Sequence, residues 1–289
     1  MTKYIQLNNG VNMPLLGYGV FQVTPKECER CVLDAIDVGY RLIDTAQAYY
    51  NEEGVGSAIQ KTHVPRSELF ITTKVWISNA GESKASRSID ESLKKLHTDY
   101  IDLLLVHQPF GDYYGTYRAM QKAYKEGKVR AIGLSNFYDA RFYDLAYHMD
   151  IKPAVVQLET NVFSQQRKMR ELIKEFDTKL MAWGPLAQGR NNFFKNEILN
   201  SIGAKYGKNN AQVALKFLVE ENIIAIPKSV NKERMADNLN IDDFSLSLDD
   251  MANIRELDLG KPGVVPDFND TNLAKFLIEY DKNNNPKNR

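Results

Sequence analysis

Four side chains of complementary acid–base character stand in separate segments of this chain: Asp44, Tyr49, Lys74 and His107. A free phenol titrates near pH 10 and is a poor proton donor at neutrality. An ammonium such as Lys74 beside Tyr49 would favour the phenolate and lower that value. A carboxylate such as Asp44 would keep the ammonium charged and oriented. An imidazole such as His107 could hydrogen-bond the same substrate oxygen from the other side. Such a set protonates or polarises an oxygen that gains negative charge, which is what reduction of a carbonyl requires. Taken singly, each has an ordinary reading: Asp44 as a helix cap, Lys74 as a solvent-seeking lysine, His107 as a satisfied loop histidine, Tyr49 as a packing residue beside Tyr50. The chemistry exists only if the fold gathers them.

The elements that would do so alternate in type. Short apolar, β-branched runs occur around Leu15–Gly17 and at 40–44, 68–75, 100–107, 129–135, 154–158, 179–183 and 223–227. Amphipathic stretches such as 83–96, 117–127, 167–176 and 211–221 lie between them. Near-continuous apolar strands separated by helices indicate a parallel sheet covered on its outer face. Eight such units in a chain of 289 residues predict an α/β fold, a closed (β/α)8 TIM barrel, forming one domain over 1–289. Tyr4 to Leu7, Asn8-Asn9-Gly10 and the run after it predict a short N-terminal β-hairpin. The polar tail 281–289 is expected to be poorly ordered. Asp44, Lys74, His107, Ser135, Asn136, Gln157, Trp183 and Lys228 all fall at or just past the C-terminal end of a predicted strand. In a barrel those ends share one face, where active sites are built.

Composition narrows the function. Lys plus Arg and Asp plus Glu balance at 37 each, so no net field draws the chain to nucleic acid or to an anionic membrane. The N-terminus carries no signal-peptide pattern, no segment is apolar enough to span a bilayer, and two cysteines give no disulfide framework; the expected location is the cytoplasm. Cys28 and Cys31 lie in a segment that reads as a helix, with Thr24 as N-cap, Pro25 in the first turn and Gly39 at the end, so packing is their expected role. No ligand cluster predicts a metal. Gly54-Val55-Gly56 and Gly17-Tyr18-Gly19 begin Gly-rich dinucleotide turns but lack the third glycine, and are discounted.

From about Leu15 to Pro262 the chain resembles the aldo-keto reductase family, in its bacterial aldehyde, diketo-gluconate and glyoxal reductase type. The resemblance rests on Asp44-Thr45-Ala46-Gln47-Ala48-Tyr49 with Asn51-Glu52, Thr73-Lys74-Val75-Trp76, Leu104-Leu105-Val106-His107-Gln108-Pro109, Gly127 through Phe137, Trp183-Gly184-Pro185-Leu186 and Ile226-Pro227-Lys228-Ser229-Val230. It implies a catalytic tetrad of Asp44, Tyr49, Lys74 and His107, with NADPH/NADP+ as cofactor. Ser135, Asn136 and Gln157 would hold the nicotinamide carboxamide, Trp183 would stack on the ring, and Gly184, Pro185 and Leu186 would continue the cofactor site. Lys228, Ser229 and Arg234 match positions at the 2′-phosphate, and Asn238 matches one at the adenine. A phosphate is well met by a point charge plus a planar fork, which favours NADPH over NADH. Gln108 stands where tryptophan is common, Gly184 where a hydroxyl residue is common, and Asp237 where Glu is usual.

Phe21, Tyr50, Trp76, His107 and Phe110 are candidate substrate contacts, joined by Tyr113 and Tyr114 and by the segment after Gly260 as a lid. Aromatic walls suit small carbonyl compounds. The expected activity is NADPH-dependent reduction of small aldehydes or ketones, dicarbonyls or keto-sugars by a monomer. Two other readings compete: an aldolase with Lys74 or Lys228 as Schiff-base amine, and a cofactor-binding regulatory or docking subunit with little turnover.

Overall fold

The computed structural model describes residues 3–261, 263–264 and 267–284. The chain opens with an antiparallel hairpin, β1 (Tyr4–Gln6) and β2 (Asn12–Pro14). Its turn is closed by Leu7 N–H donating to Val11 O at 2.8 Å, and Gly10 takes φ +83°, a conformation that costs glycine little. Leu7 and Met13 are buried, and Asn9 Nδ2 donates to Arg130 O at 2.8 Å, so the hairpin closes the N-terminal end of the barrel.

Eight parallel strands follow: β3 (Tyr18–Gly19), β4 (Leu42–Asp44), β5 (Phe70–Val75), β6 (Ile101–Val106), β7 (Val129–Ser135), β8 (Val155–Glu159), β9 (Lys179–Trp183) and β10 (Ile224–Ala225). They pair in sequential order, and Leu16 bridges to Ala225 to close the ring. The expected first strand around Leu15–Gly17 is displaced to Tyr18–Gly19. Leu15 and Gly17 bond Ala225 on one side, whereas Tyr18 and Gly19 pair with β4 on the other. The stagger of a closed barrel divides one extended segment between two neighbours in this way.

The helices are α1 (Pro25–Val38), α2 (Glu52–Lys61), α3 (Glu82–Lys95), α4 (Tyr113–Lys125), α5 (Asp139–His148), α6 (Arg167–Lys174), α7 (Glu197–Tyr206), α8 (Asn210–Glu220), α9 (Lys232–Leu239), α10 (Leu248–Arg255) and α11 (Thr271–Asn284). In α1, Pro25 begins the helix and Gly39 ends it at φ +117°, as expected. Thr24, however, bonds the Glu27 carboxylate and caps no backbone N–H. Cys28 and Cys31 are buried and free, and burial pushes the Cys28 thiol up to about 12. A thiol held protonated inside a helix interface packs rather than reacts. Gly54 and Gly56 lie within α2 rather than at a strand-to-helix turn. A Cβ on Gly56 would sit 2.1 Å from Lys95 O, so close packing of α2 on α3 explains that glycine. Helix α11 extends into the tail segment as far as residue 284, with Leu277 buried and Leu273 and Tyr280 packed beside it. Residues 285–289 lie outside the described residues. No helix among the described residues is long and apolar enough to cross a membrane.

Candidate active site

Asp44 ends β4 and Lys74 lies in the last turn of β5, one strand over, so adjacent barrel strands set the two side chains against each other. Lys74 Nζ donates to Asp44 Oδ1 at 2.6 Å, to Thr45 O at 2.9 Å and to the Tyr49 hydroxyl at 3.3 Å. An ammonium has three N–H donors, and all three are used here. Neither Asp44 nor Lys74 meets solvent appreciably. The other Asp44 oxygen accepts from Gln157 Nε2 at 2.9 Å. Burial pushes the Asp44 carboxyl up and the Lys74 ammonium down, and the mutual attraction of the pair opposes both movements.

Tyr49 stands in a short 3₁₀ turn after β4, and Tyr50 reverses the chain into α2 at φ +55°. Asn51 fixes this turn from beneath. Its Nδ2 donates to Val20 O and Val23 O at 3.0 and 3.1 Å, and its Oδ1 accepts from the Thr45 hydroxyl at 2.8 Å. The Tyr49 ring meets His107 edge-on with centroids 5.6 Å apart and Phe21 at 5.1 Å. Its phenol is held well above the ordinary value, by burial first and then by the Asp44 charge. This corrects the expectation that Lys74 lowers it. Burial outweighs the pull of the nearby ammonium, and the Asp44 charge adds to the rise. His107 is held well below the ordinary imidazole value by burial and by the Lys74 charge, so its ring is neutral at neutral pH. Its Nδ1 is buried with no hydrogen-bond partner among the described residues.

A second network joins the tetrad. Asn136, just past β7, takes φ +65°, a conformation asparagine tolerates better than most residues. Its Nδ2 donates to His107 O and to Ser135 Oγ, both at 3.1 Å, and its Oδ1 accepts from Trp183 Nε1 at 2.9 Å. Ser135, Asn136, His107 and Trp183 thus form one connected set at the C-terminal face, and Gln157 joins it to Asp44. Gly184 follows at φ +61°, where an added Cβ would meet nothing within 4 Å. Pro185 is buried and Leu186 half-buried beside it. Farther out, Asn231 caps α9 by accepting from Arg234 N–H at 2.8 Å, and Ser229 Oγ accepts from Asn231 N–H at 3.1 Å. Lys228 and Arg234 are exposed at this rim, with no ion-pair partner among the described residues. Asn238 is buried in α9.

Of the substrate-side candidates, Trp76 and Phe110 lie in one apolar cluster with Ala48 and Tyr49, and Phe21 is exposed against the Tyr49 ring. Trp76 meets His107 with centroids 4.9 Å apart. At the start of α4, Tyr113 packs on Phe137 in the loop after β7, and the Tyr114 hydroxyl donates to Asp144 on α5. Sequence reasoning missed Gln47, whose Oε1 accepts from Trp76 N–H and from Asn79 Nδ2, both at 2.9 Å, fixing the Trp76 loop.

A tyrosine, an ion-paired lysine and a neutral histidine thus stand together at the C-terminal mouth of a parallel barrel. The aldo/keto reductase family profile matches residues 15–259. The chain is 43% identical over 255 residues to glyoxal reductase of Bacillus subtilis, covering 88% of this chain and 92% of the relative. It is 38% identical over 260 residues to methylglyoxal reductase DkgA of Escherichia coli, covering 89% and 94%. The crystal structure of a Gox0644 mutant in complex with NADPH superposes with a TM-score of 0.88 at 33% identity, covering 93% of this chain and 98% of that one. The protein belongs to the aldo/keto reductase family.

Proposed function

We propose that Tyr49 is the proton donor in NADPH-dependent reduction of small aldehydes and ketones to alcohols, with Asp44, Lys74 and His107 completing the catalytic set. The observation that carries this reading is the hydrogen bond from Lys74 Nζ to the Tyr49 hydroxyl. Because an ammonium can only donate, the phenol oxygen is the acceptor, and its own proton remains free for the substrate oxygen. The neutral His107 ring, beside Tyr49, offers an N–H to the same oxygen. Asp44 holds the lysine in place, and Gln157 holds Asp44.

The residues fit a nicotinamide cofactor. The half-buried Trp183 ring is fixed by Asn136, the backbone at Gly184 leaves open space, and Lys228 and Arg234 offer uncompensated positive charge at the rim. NADPH held there would supply the hydride. Ser135, Asn136, Gln157, Trp183, Gly184, Pro185 and Leu186 would hold its nicotinamide half; Lys228, Ser229, Arg234 and Asn238 its phosphate and adenine half. Trp76, Phe110, Phe21 and Tyr50 would wall the substrate. Glyoxal, methylglyoxal and related short aldehydes are the proposed substrate class, in keeping with the relatives' activities. The chain acts as a single-domain monomer in the cytoplasm.

The competing readings have less support. Lys74 as a Schiff-base amine would need a free lone pair, and its three donors are all engaged. A docking subunit without turnover does not require the assembled tetrad, and the relatives cited are reductases. The test is NADPH consumption, followed by its absorbance, across a panel of aldehydes and ketones; a panel in which none is reduced sinks the reading. Separately, Arg234→Ala is expected to weaken NADPH binding about tenfold or more while changing NADH binding little, since a charge-assisted bond to phosphate contributes roughly 1.5–3 kcal/mol. Equal losses for the two cofactors in fluorescence titration would remove Arg234 from the phosphate site.

A further inference from the structure

Lys228 and Ser229, two of the residues read as meeting the 2′-phosphate, stand on a segment with no regular structure of its own. Residues 226–231 lie between β10 and α9 and belong to neither helix nor strand. Lys228 and Val230 are exposed, and Ser229 is half-buried. A lysine on a loose segment has to be ordered by its ligand, at an entropic cost that weakens binding. Here the loop is held from behind.

Three of its carbonyls are taken by donors from β3 and α1. Gly19 N–H donates to Pro227 O at 3.1 Å, the Tyr18 hydroxyl to Ser229 O at 2.6 Å and Arg30 Nη2 to Val230 O at 3.3 Å. The ties are unequal. Gly19 uses its main chain, a donor that almost any residue there would supply. Arg30 is half-exposed and pairs with Asp34 at 2.6 Å. Tyr18 is only 1% exposed, and burial pushes its phenol well above the ordinary value, so the hydroxyl keeps the proton it donates. A short bond from an enclosed phenol is the firmest of the three. It also turns the Ser229 carbonyl into the protein, where its negative end does not oppose an anion at the rim.

Tyr40, two residues before β4, stands beside Tyr18 with ring centroids 5.9 Å apart, and its hydroxyl donates to Met235 O at 3.2 Å. Met235 lies inside α9, which has its own helical bonds and the Asn231 cap. The two phenols thus make the same kind of bond, one to a loop and the other to a helix.

We propose that Tyr18 is a positioning residue for cofactor choice: by fixing Ser229 it holds the 226–231 loop in the form in which Lys228 and Ser229 meet the 2′-phosphate of NADPH. This rests on the phosphate-site reading above and deepens it. NADH carries a hydroxyl in place of that phosphate, so it gains little from an ordered loop. Loss of the Tyr18 bond therefore falls on NADPH, because its extra charge is the part of the cofactor that the loop meets.

Tyr18→Phe keeps the ring and removes the donor. In fluorescence titrations of the whole protein it is expected to raise the NADPH Kd about three- to tenfold and the NADH Kd less than about twofold. Tyr40→Phe is the matched control. It loses a buried hydroxyl of the same kind, and the ratio of the two Kd values should stay within about twofold of wild type. Val230→Gly, at an exposed position, loosens the same loop without touching the core, and should shift the ratio in the direction of Tyr18→Phe by about two- to fivefold. Equal weakening of both cofactors in Tyr18→Phe, an equal shift of the ratio in Tyr40→Phe, or no shift in Val230→Gly would overturn the assignment. A wild-type protein that binds NADPH no tighter than NADH defeats the phosphate-site reading and the proposal with it. A wild-type preference for NADPH that Tyr18→Phe leaves unaltered defeats the proposal alone.

Discussion

Tyr49→Phe is expected to lower kcat for carbonyl reduction roughly 10²- to 10⁴-fold, the usual contribution of a positioned general acid. NADPH affinity should stay within about threefold of wild type, because the substitution removes one hydroxyl and keeps the ring contacts with His107 and Phe21. The effect should fall on kcat rather than KM. Before reaction the phenol touches a neutral carbonyl, whereas its proton is needed as negative charge develops on that oxygen. Steady-state rates with methylglyoxal, together with NADPH titration by fluorescence, check both halves. Turnover near the wild-type level would remove Tyr49 from the acid role, and a parallel loss of cofactor affinity would point to a collapsed site rather than a missing proton.

Lys74→Met is expected to remove activity and to destabilise the fold by about 3–5 kcal/mol, the typical cost of leaving a buried charge without its partner. Asp44 and Lys74 are both almost wholly enclosed, and their 2.6 Å contact is the main compensation for burying the two charges. Adding Asp44→Asn to Lys74→Met removes the stranded carboxylate and should restore much of the lost stability, without restoring turnover. Urea unfolding of the single and double variants separates the two effects. An unchanged midpoint in Lys74→Met would mean that Asp44 is not held as a buried anion. Activity regained in the double variant would show that the lysine charge has no part in the reaction.

The legibility of this site in the sequence was uneven. Asp44, Lys74, His107, Ser135, Gln157 and Trp183 were readable because a parallel barrel aligns its strand ends. A polar residue ending an apolar run is therefore placed on a known face by chain order alone. Tyr49 was readable from its motif, but its protonation was not. The expectation of a lowered phenol pKa considered Lys74 alone, whereas the folded chain closes Lys74 onto Asp44 and buries the phenol. For Tyr113 and Tyr114 the ring type alone suggested a pocket wall, and only packing shows one against Phe137 and the other bonded to Asp144.

The linear pattern of apolar runs, helical stretches and turn residues determined the barrel, its hairpin and the convergence of the strand-end residues, because these follow from local periodicity and chain order. Tertiary structure alone decided what depends on through-space distance. It paired the ammonium with one carboxylate, buried the phenol beside that pair, fixed Trp76 through Gln47, and brought α11 back onto Trp76 from more than 160 residues away in sequence. Periodicity states which face of a helix is buried; only packing states against what.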